Sequence, residues 1–189
     1  MLDSILLLRT PYSPLPLTPM STRLLTDDAL LAECRWDQFR GSGPGGQKRN
    51  KTSNAVRLTH EPTGVAVTAG ESRSLSENKL HALRRLRLKL AADLREPVDL
   101  PTFAPPEWFL SIRRQNHIEA SHRHPLYAAA AGLVLDLLSA LGGNPAAVAV
   151  NLGVSTTTVI KLLEKEPVLW TAANKIRAGA GMAPLTHRG

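Results

Sequence analysis

Gly45-Gly46-Gln47 stands in the stretch of this chain whose residue types suit chemistry better than packing. The surrounding segment, Arg40 to Thr52, reads RGSGPGGQKRNKT. Gly45 and Gly46 admit positive φ and let the backbone approach another surface closely. Pro44 limits the entropy lost when such a segment is ordered. Lys48, Arg49 and Lys51 follow at once, and their charge suits phosphates that are held without being read. No paired carboxylates and no His/Cys constellation stand nearby, so neither acid–base nor metal chemistry is expected of the segment.

Two other patterns overlap it. Gly41-Ser42-Gly43-Pro44-Gly45-Gly46 satisfies G-x-G-x-x-G, with Glu61 further on. That pattern binds dinucleotides only where it opens a long helix after a strand. Here Pro44 interrupts it, and a polar run leads into the next strand pattern. Gly45 to Thr52 resembles a phosphate-binding P-loop, except that Asn50 replaces its final glycine, and again no long helix follows. The histidines at 117, 122 and 124 are a third candidate. His122 and His124 are two apart and would not share a helix face, so a basic surface is the better reading than a metal site.

Composition narrows the partner. The chain has 189 residues, 43% hydrophobic and 21% charged, with net charge +7. This is ordinary globular material with a bias toward polyanions. The bias is local: Arg35 to Arg95 holds thirteen Lys/Arg against five Asp/Glu. A single cysteine, Cys34, excludes an internal disulfide and a multi-cysteine zinc site, and fits a cytoplasmic setting. No apolar run approaches the ~20 residues of a membrane span, so no membrane partner is expected. Residues 1–19, with four prolines between Pro11 and Pro19, are expected to be a disordered extension. Met20 is a candidate alternative start.

The elements that must hold the loop are legible in order. Thr26 with Asp27 and Asp28 predicts a short helix to about Glu33. Cys34 to Phe39 alternates as a strand. Ala55 to Thr59 and Val65 to Thr68, joined by Glu61-Pro62-Thr63-Gly64, predict a hairpin. Ser74 to Glu77 matches a capping box. A helix to about Arg95 should follow, with Leu80, Leu83, Leu86, Leu90 and Leu94 facing a core and Lys79, Arg84, Arg85, Arg87 and Lys89 elsewhere. The prolines from Pro97 to Pro106 predict a semi-rigid linker, and Trp108 to His124 reads as a basic helix. Leu126 to Leu141 is an apolar helix closed by Gly142-Gly143. Asn144-Pro145 opens the next. Ala146 to Lys165 has helix-turn-helix spacing, turning at Leu152-Gly153-Val154 with Ser155 as cap. A last helix should run from Pro167 to Arg177.

From Arg40 to Leu90 the chain resembles the catalytic domain of class I peptide chain release factors. The matching residues are SGPGGQ (42–47), NKT (50–52), AVRLTH (55–60), PTG (62–64) and RS (73–74), followed by a basic helix. With Leu25 to Phe39 it is most similar to short release-factor-like ribosome rescue proteins, which lack a codon-recognition domain. The fold expected is α+β: the resemblance implies a catalytic domain with a short helix, a three-stranded antiparallel sheet and a long basic helix, and the residue pattern after it adds a small all-α helix-turn-helix-like domain. It implies ribosome-dependent hydrolysis of the peptidyl-tRNA ester in the peptidyl-transferase centre, with Gly45 and Gly46 presenting the backbone N–H of Gln47. RNA contacts are expected of Lys48, Arg49, Asn50, Lys51, Thr52, Arg73, Lys79, Arg84 and Arg85. Positions 48 and 49 depart from the common His-Val of the family.

Implied partners are rRNA of the large ribosomal subunit, peptidyl-tRNA and a glutamine methyltransferase; no cofactor and no metal are required, and a monomer is expected. Only 44 residues precede Gly45, so release independent of a stop codon is expected, as in ribosome rescue. The division expected is 1–19 extension, 20–95 catalytic domain, 96–124 linker and basic helix, and 125–189 helical domain. The last holds five Lys/Arg and three Asp/Glu, too few cations for an mRNA-channel tail. The competing reading is a nucleic-acid-binding regulator that uses the helix-turn-helix and carries an inactive loop.

Overall fold

The computed structural model describes residues 19–39 and 54–186. The chain is α+β: a three-stranded antiparallel sheet, one long helix across it, and further helices packed on that helix's other side. Helix α1 (Pro19–Leu24) was not expected from the sequence; the rest of the predicted disordered extension, residues 1–18, lies outside the described residues. Helix α2 (Asp27–Ala32) begins where the cap predicts: Thr26 Oγ1 accepts the Ala29 N–H at 3.3 Å, and Asp27 and Asp28 occupy the first turn.

Strands β1 (Cys34–Phe39), β2 (Ala55–His60) and β3 (Val65–Ala69) lie in that order, β1 pairing Cys34 with His60 and Phe39 with Ala55. The alternation seen in the sequence is the alternation of faces. Val56, Leu58 and His60 are buried while Arg57 is exposed. Gly64 turns the hairpin at φ +69°, a conformation costly for any residue with a Cβ.

Helix α3 (Leu75–Asp93) crosses the sheet. Ser74 Oγ caps it by accepting the Glu77 N–H at 3.3 Å. The return half of the capping box is made differently: the Glu77 carboxylate accepts from the Ser72 hydroxyl, which itself accepts the Ser74 N–H at 3.0 Å. Leu83, Leu86 and Leu90 pack on Val56 and Leu58 as the stripe predicts. Leu80 does not. It is 63% exposed, because the sheet ends beneath it at the outer edge of β1. Leu88 and Ala91 face the opposite way, into a second core with the C-terminal helices. Thus α3 is buried on two sides, which a single-stripe reading does not foresee.

The stretch after α3 contains a 3₁₀ turn, Leu100–Thr102, and its Val98, Leu100 and Phe103 pack against the second core. The helix expected over Trp108–His124 is much shorter. Helix α4 (Glu107–Ile112) ends at Ile112, and β4 (Arg113–Arg114) and β5 (His117–Ile118) form a small hairpin. Gln115 and Asn116 make its two-residue turn, with Gln115 at φ +53°. Ile112 and Phe109 are the buried anchors, and the polar run beyond them offers no apolar stripe to continue a helix.

Helix α5 (Tyr127–Ala140) is the centre of the second core and is buried along almost its whole length. Gly142 and Gly143 end it at φ +61° and +77°. Helices α6 (Pro145–Leu152) and α7 (Thr156–Glu164) meet at a 109° bend through Gly153, with Asn144 and Ser155 as caps. Helix α8 (Pro167–Gly179) packs against α3, α5 and α7. The buried Tyr127 hydroxyl donates to Leu162 O at 2.7 Å, and burial pushes its pKa well above the usual phenol value. No single helix among the described residues is long and apolar enough to cross a membrane.

One polar cluster joins the two halves. Asp136, in the middle of apolar α5, is 1% exposed. Its carboxylate pairs with the buried Arg23 of α1 and with Arg95 at 2.9 Å, and accepts the Glu96 N–H at 3.1 Å. Arg23 also donates to Leu94 O, at the end of α3. Gly132, one turn before Asp136, leaves the room: a Cβ there would lie 2.7 Å from the Arg23 side chain. Burial lowers the Arg95 pKa to about 10, with Asp136 opposing the shift. Asp136→Ala strands buried Arg23 without its counter-charge and should cost about 3–5 kcal/mol of unfolding free energy in urea titrations. A cost near that of a surface bridge, under about 1 kcal/mol, would refute this role.

Candidate functional site

Strands β1 and β2 pair to their last residues, so the chain leaves the sheet at Phe39 and re-enters at Ala55. The two points are about 5 Å apart, as antiparallel partners must be. The residues between them that carry the expected chemistry, Gly45, Gly46, Gln47, Lys48, Arg49, Asn50, Lys51 and Thr52, lie outside the described residues. What is described is the base from which they are held.

That base is a polar clamp centred on Asn78. Its side chain is fully buried in the first turns of α3. Nδ2 donates to Asn54 O at 2.7 Å and to Ser72 O at 2.9 Å, and Oδ1 accepts the Ser72 N–H at 3.0 Å. Asn54 in turn donates to Arg73 O at 2.7 Å. The returning stem of the loop, the segment 70–74 and the start of α3 are thereby held together. Gly70 makes this approach sterically feasible, since a Cβ there would sit 2.9 Å from Ala55 Cβ. At the other end of the strand pair, buried His60 bonds Glu33 Oε2 at 2.9 Å and Thr63 Oγ1 at 2.8 Å. The sheet is thus pinned at both ends of β2.

The described RNA-contact candidates do not share one environment. Arg73 is exposed beside the stem, tied to it through its backbone carbonyl. The Lys79 ammonium lies 3.7 Å from the centroid of the Trp36 ring, a cation–π pair. Arg85 donates to Thr68 O at 2.6 Å and pairs with Glu71. Arg84 is exposed, with no carboxylate partner among the described residues. Arg87 and Lys89 are paired with Asp27 and Asp93, both at 2.6 Å. Half-exposed Trp36 and exposed Leu31 and Leu80 rim an apolar groove of about 500 Å³ beside Lys79.

Cys34 lines this groove as a partly buried thiol. Its thiol donates to Leu30 O at 3.1 Å, and burial, with Glu33 and Glu61 nearby, pushes its pKa up to about 11. The described residues contain no group of three or more His, Cys, Asp or Glu able to hold a metal ion.

With this geometry in hand, comparison with known proteins is decisive for the sheet and α3. Residues 29–99 match the RF-1 domain. Over this segment the chain is similar to peptide chain release factors. Among similar proteins, peptide chain release factor 2 of Corynebacterium glutamicum (strain R) is 42% identical over 82 residues, 43% of this chain and 22% of that protein. Peptide chain release factor 1 of Parafrankia sp. is 49% identical over 67 residues, 35% and 19% of the two chains. Release factor 2 of Rhodococcus erythropolis is 50% identical over 64 residues, 34% and 17%. The chain therefore spans about a fifth of the length of these relatives.

The RF-1 domain runs from α2 through the sheet and α3 to the proline-rich stretch, and the glycine-rich segment falls inside it. Sequence reasoning missed the clamp. Asn is a poor residue inside a helix because its amide competes for backbone groups. Asn78, four residues past a Ser cap, carried that signal. The partners it would select, Asn54 and Ser72, are fixed only by the packing of α3 on β2.

Two measurements follow from this arrangement. Asn78→Leu leaves the Asn54 and Ser72 backbone groups unsatisfied, and should cost about 1–3 kcal/mol. Hydrogen exchange should also speed up locally at the Ser72 amide, which loses its acceptor. Native Cys34 should be alkylated about a hundredfold more slowly than in the unfolded chain at neutral pH. The rate should keep rising toward pH 11, since only the thiolate attacks. Reaction at the unfolded rate would contradict its burial.

Proposed function

We propose that this protein hydrolyses the ester of peptidyl-tRNA on the large ribosomal subunit, with Gly45-Gly46-Gln47 as the reacting tip. The observation carrying the reading is the position of that tripeptide within the RF-1 match, between the paired ends of β1 and β2, with the returning end held by Asn78 through Asn54. A long loop needs a rigid base to hold a donor at a fixed point, because effective positioning is lost with small displacements. Gly45 and Gly46 free the backbone to present the Gln47 N–H to the carbonyl oxygen as negative charge develops there. The Gln47 side chain shapes the space for water. Lys48, Arg49, Asn50, Lys51 and Thr52 hold the loop against rRNA, with Arg73, Lys79, Arg84 and Arg85 extending the contact. No acid, base or metal is asked of the protein, and a methyltransferase acting on Gln47 is a fitting partner.

Residues 20–95 serve as the catalytic unit and 125–185 as a docking unit, and release proceeds without a stop codon, as in ribosome rescue. The alternative, a DNA-reading regulator, is disfavoured by one contact. A helix-turn-helix presents the start of its second helix to base edges. Here the start of α7 is covered by the β4–β5 turn: Ser155 N–H and Thr158 Oγ1 both donate to Asn116 O, at 2.9 and 3.0 Å.

Peptide release from ribosomes carrying peptidyl-tRNA and an empty A-site codon tests the reading. Gln47→Pro deletes the amide donor and should reduce the rate about 10²–10³-fold or more. Gln47→Ala keeps the N–H and should lose less, and adding a stop codon should change nothing. No release by the native protein from either intact ribosomes or large subunits would end the proposal. Equal rates for native and Gln47→Pro would end the role assigned to the amide.

A further inference from the structure

We infer a phosphate-binding cleft at the seam between the RF-1 domain and the segment that leads into α5, which would hold the sugar–phosphate backbone of RNA. This inference rests on the proposed ribosomal function and extends its RNA contact to residues outside the RF-1 match.

The cleft has a volume of about 180 Å³. Arg84 and Arg87 of α3 form one wall, and His122, Arg123 and His124 form the other. The two walls are far apart in sequence, and the docking of α5 on α3 brings them together. Leu83, Leu88 and Ala128 make an apolar floor.

The cations differ in how far they are committed. Arg87 is held by Asp27 at 2.6 Å and by Leu25 O at 2.7 Å, so its charge is partly answered at the rim. His124 Nδ1 accepts the Leu126 N–H at 3.1 Å, which fixes the ring at the start of α5. Arg84 and Arg123 are exposed and have no carboxylate partner among the described residues. His122 is exposed beside them. With histidines neutral, three guanidinium groups face one carboxylate.

Chemistry favours phosphate over carboxylate ligands. A planar guanidinium matches two phosphate oxygens at once, and two converging arginines can grip one phosphodiester from both sides. The cavity admits a phosphate and the edge of its sugar but is too small for a structured peptide element. It also lies on the same helix as the basic face of the RF-1 domain, so a strand of RNA meeting that face could continue into it. His117, His122 and His124 looked like a weak metal candidate in the sequence. The structure separates His117, which bonds Thr158 Oγ1 at 3.3 Å on α7, and leaves His122 and His124 with arginines.

The test compares native protein with Arg84→Ala/Arg123→Ala in binding to purified large ribosomal subunits at several salt concentrations. Both residues are exposed, so the variant should melt like the native protein. It should bind at least about tenfold more weakly at moderate salt, and the slope of log Kd against log salt should fall by about 1–2. Arg84→Lys/Arg123→Lys, which keeps the charge, should restore most of the slope. Native affinity and slope in the alanine variant would overturn the cleft. So would a variant that loses affinity for a polyglutamate peptide but not for the subunits, which would make it a protein-docking site.

Peptide release measured in parallel keeps the two proposals apart. Native protein that binds through Arg84 and Arg123 but releases nothing would sink the catalytic reading and leave the cleft standing. Normal release with unaltered binding by the variant would do the reverse.

Discussion

A buried carboxylate between two arginines is the interaction on which the rest of this structure depends. Asp136 sits in the most apolar helix of the chain, and its charge would be prohibitive there without Arg23 and Arg95. Because those partners come from α1 and from the end of α3, satisfying one carboxylate fixes three segments at once. Burial of leucines gives adhesion between helices but little direction. A charge cluster with defined hydrogen bonds gives a register. The close passage of Arg23 over Gly132 shows that the backbone was shaped to admit it.

Helix α3 carries that register to the functional end. Its C-terminal turns are locked to α5 through Leu94, Arg95 and Asp136, and its N-terminal turns hold the loop stem through Asn78. One helix thus has a structural anchor at one end and a positioning residue at the other. Between them its two opposite apolar faces, Leu83, Leu86 and Leu90 on one side and Leu88 and Ala91 on the other, belong to different cores.

The same economy explains the distribution of charge. Several cations of α3 are spent internally, Arg85 on Glu71, Arg87 on Asp27 and Lys89 on Asp93. Such exposed pairs add little stability, but they leave fewer arginines to face a partner. Arg73, just ahead of the helix cap, and Arg84, beside the 121–125 turn, have no carboxylate partner among the described residues, and they lie at two separate places. A basic helix read from sequence looks uniform; its folded surface is not.

Residue order encodes the local structure directly, and it places the glycine-rich segment within the RF-1 match. Caps at Thr26, Ser74, Asn144 and Ser155, alternation on β1 and β2, and the Gly64 and Gly153 turns are short-range effects that residue order encodes directly. The tripeptide at 45–47 and its flanking motifs were likewise legible, because they are contiguous. Tertiary structure alone decided that Asp136 meets Arg23 and Arg95, and that Asn78 clamps Asn54. It also decided that α3 serves two cores, that Leu80 stands clear of both, and that Trp108–His124 is a short helix and a hairpin. Each of these depends on which distant segment arrives next to a residue, and a polar side chain's partner across the fold leaves no period or cap in the chain to announce it.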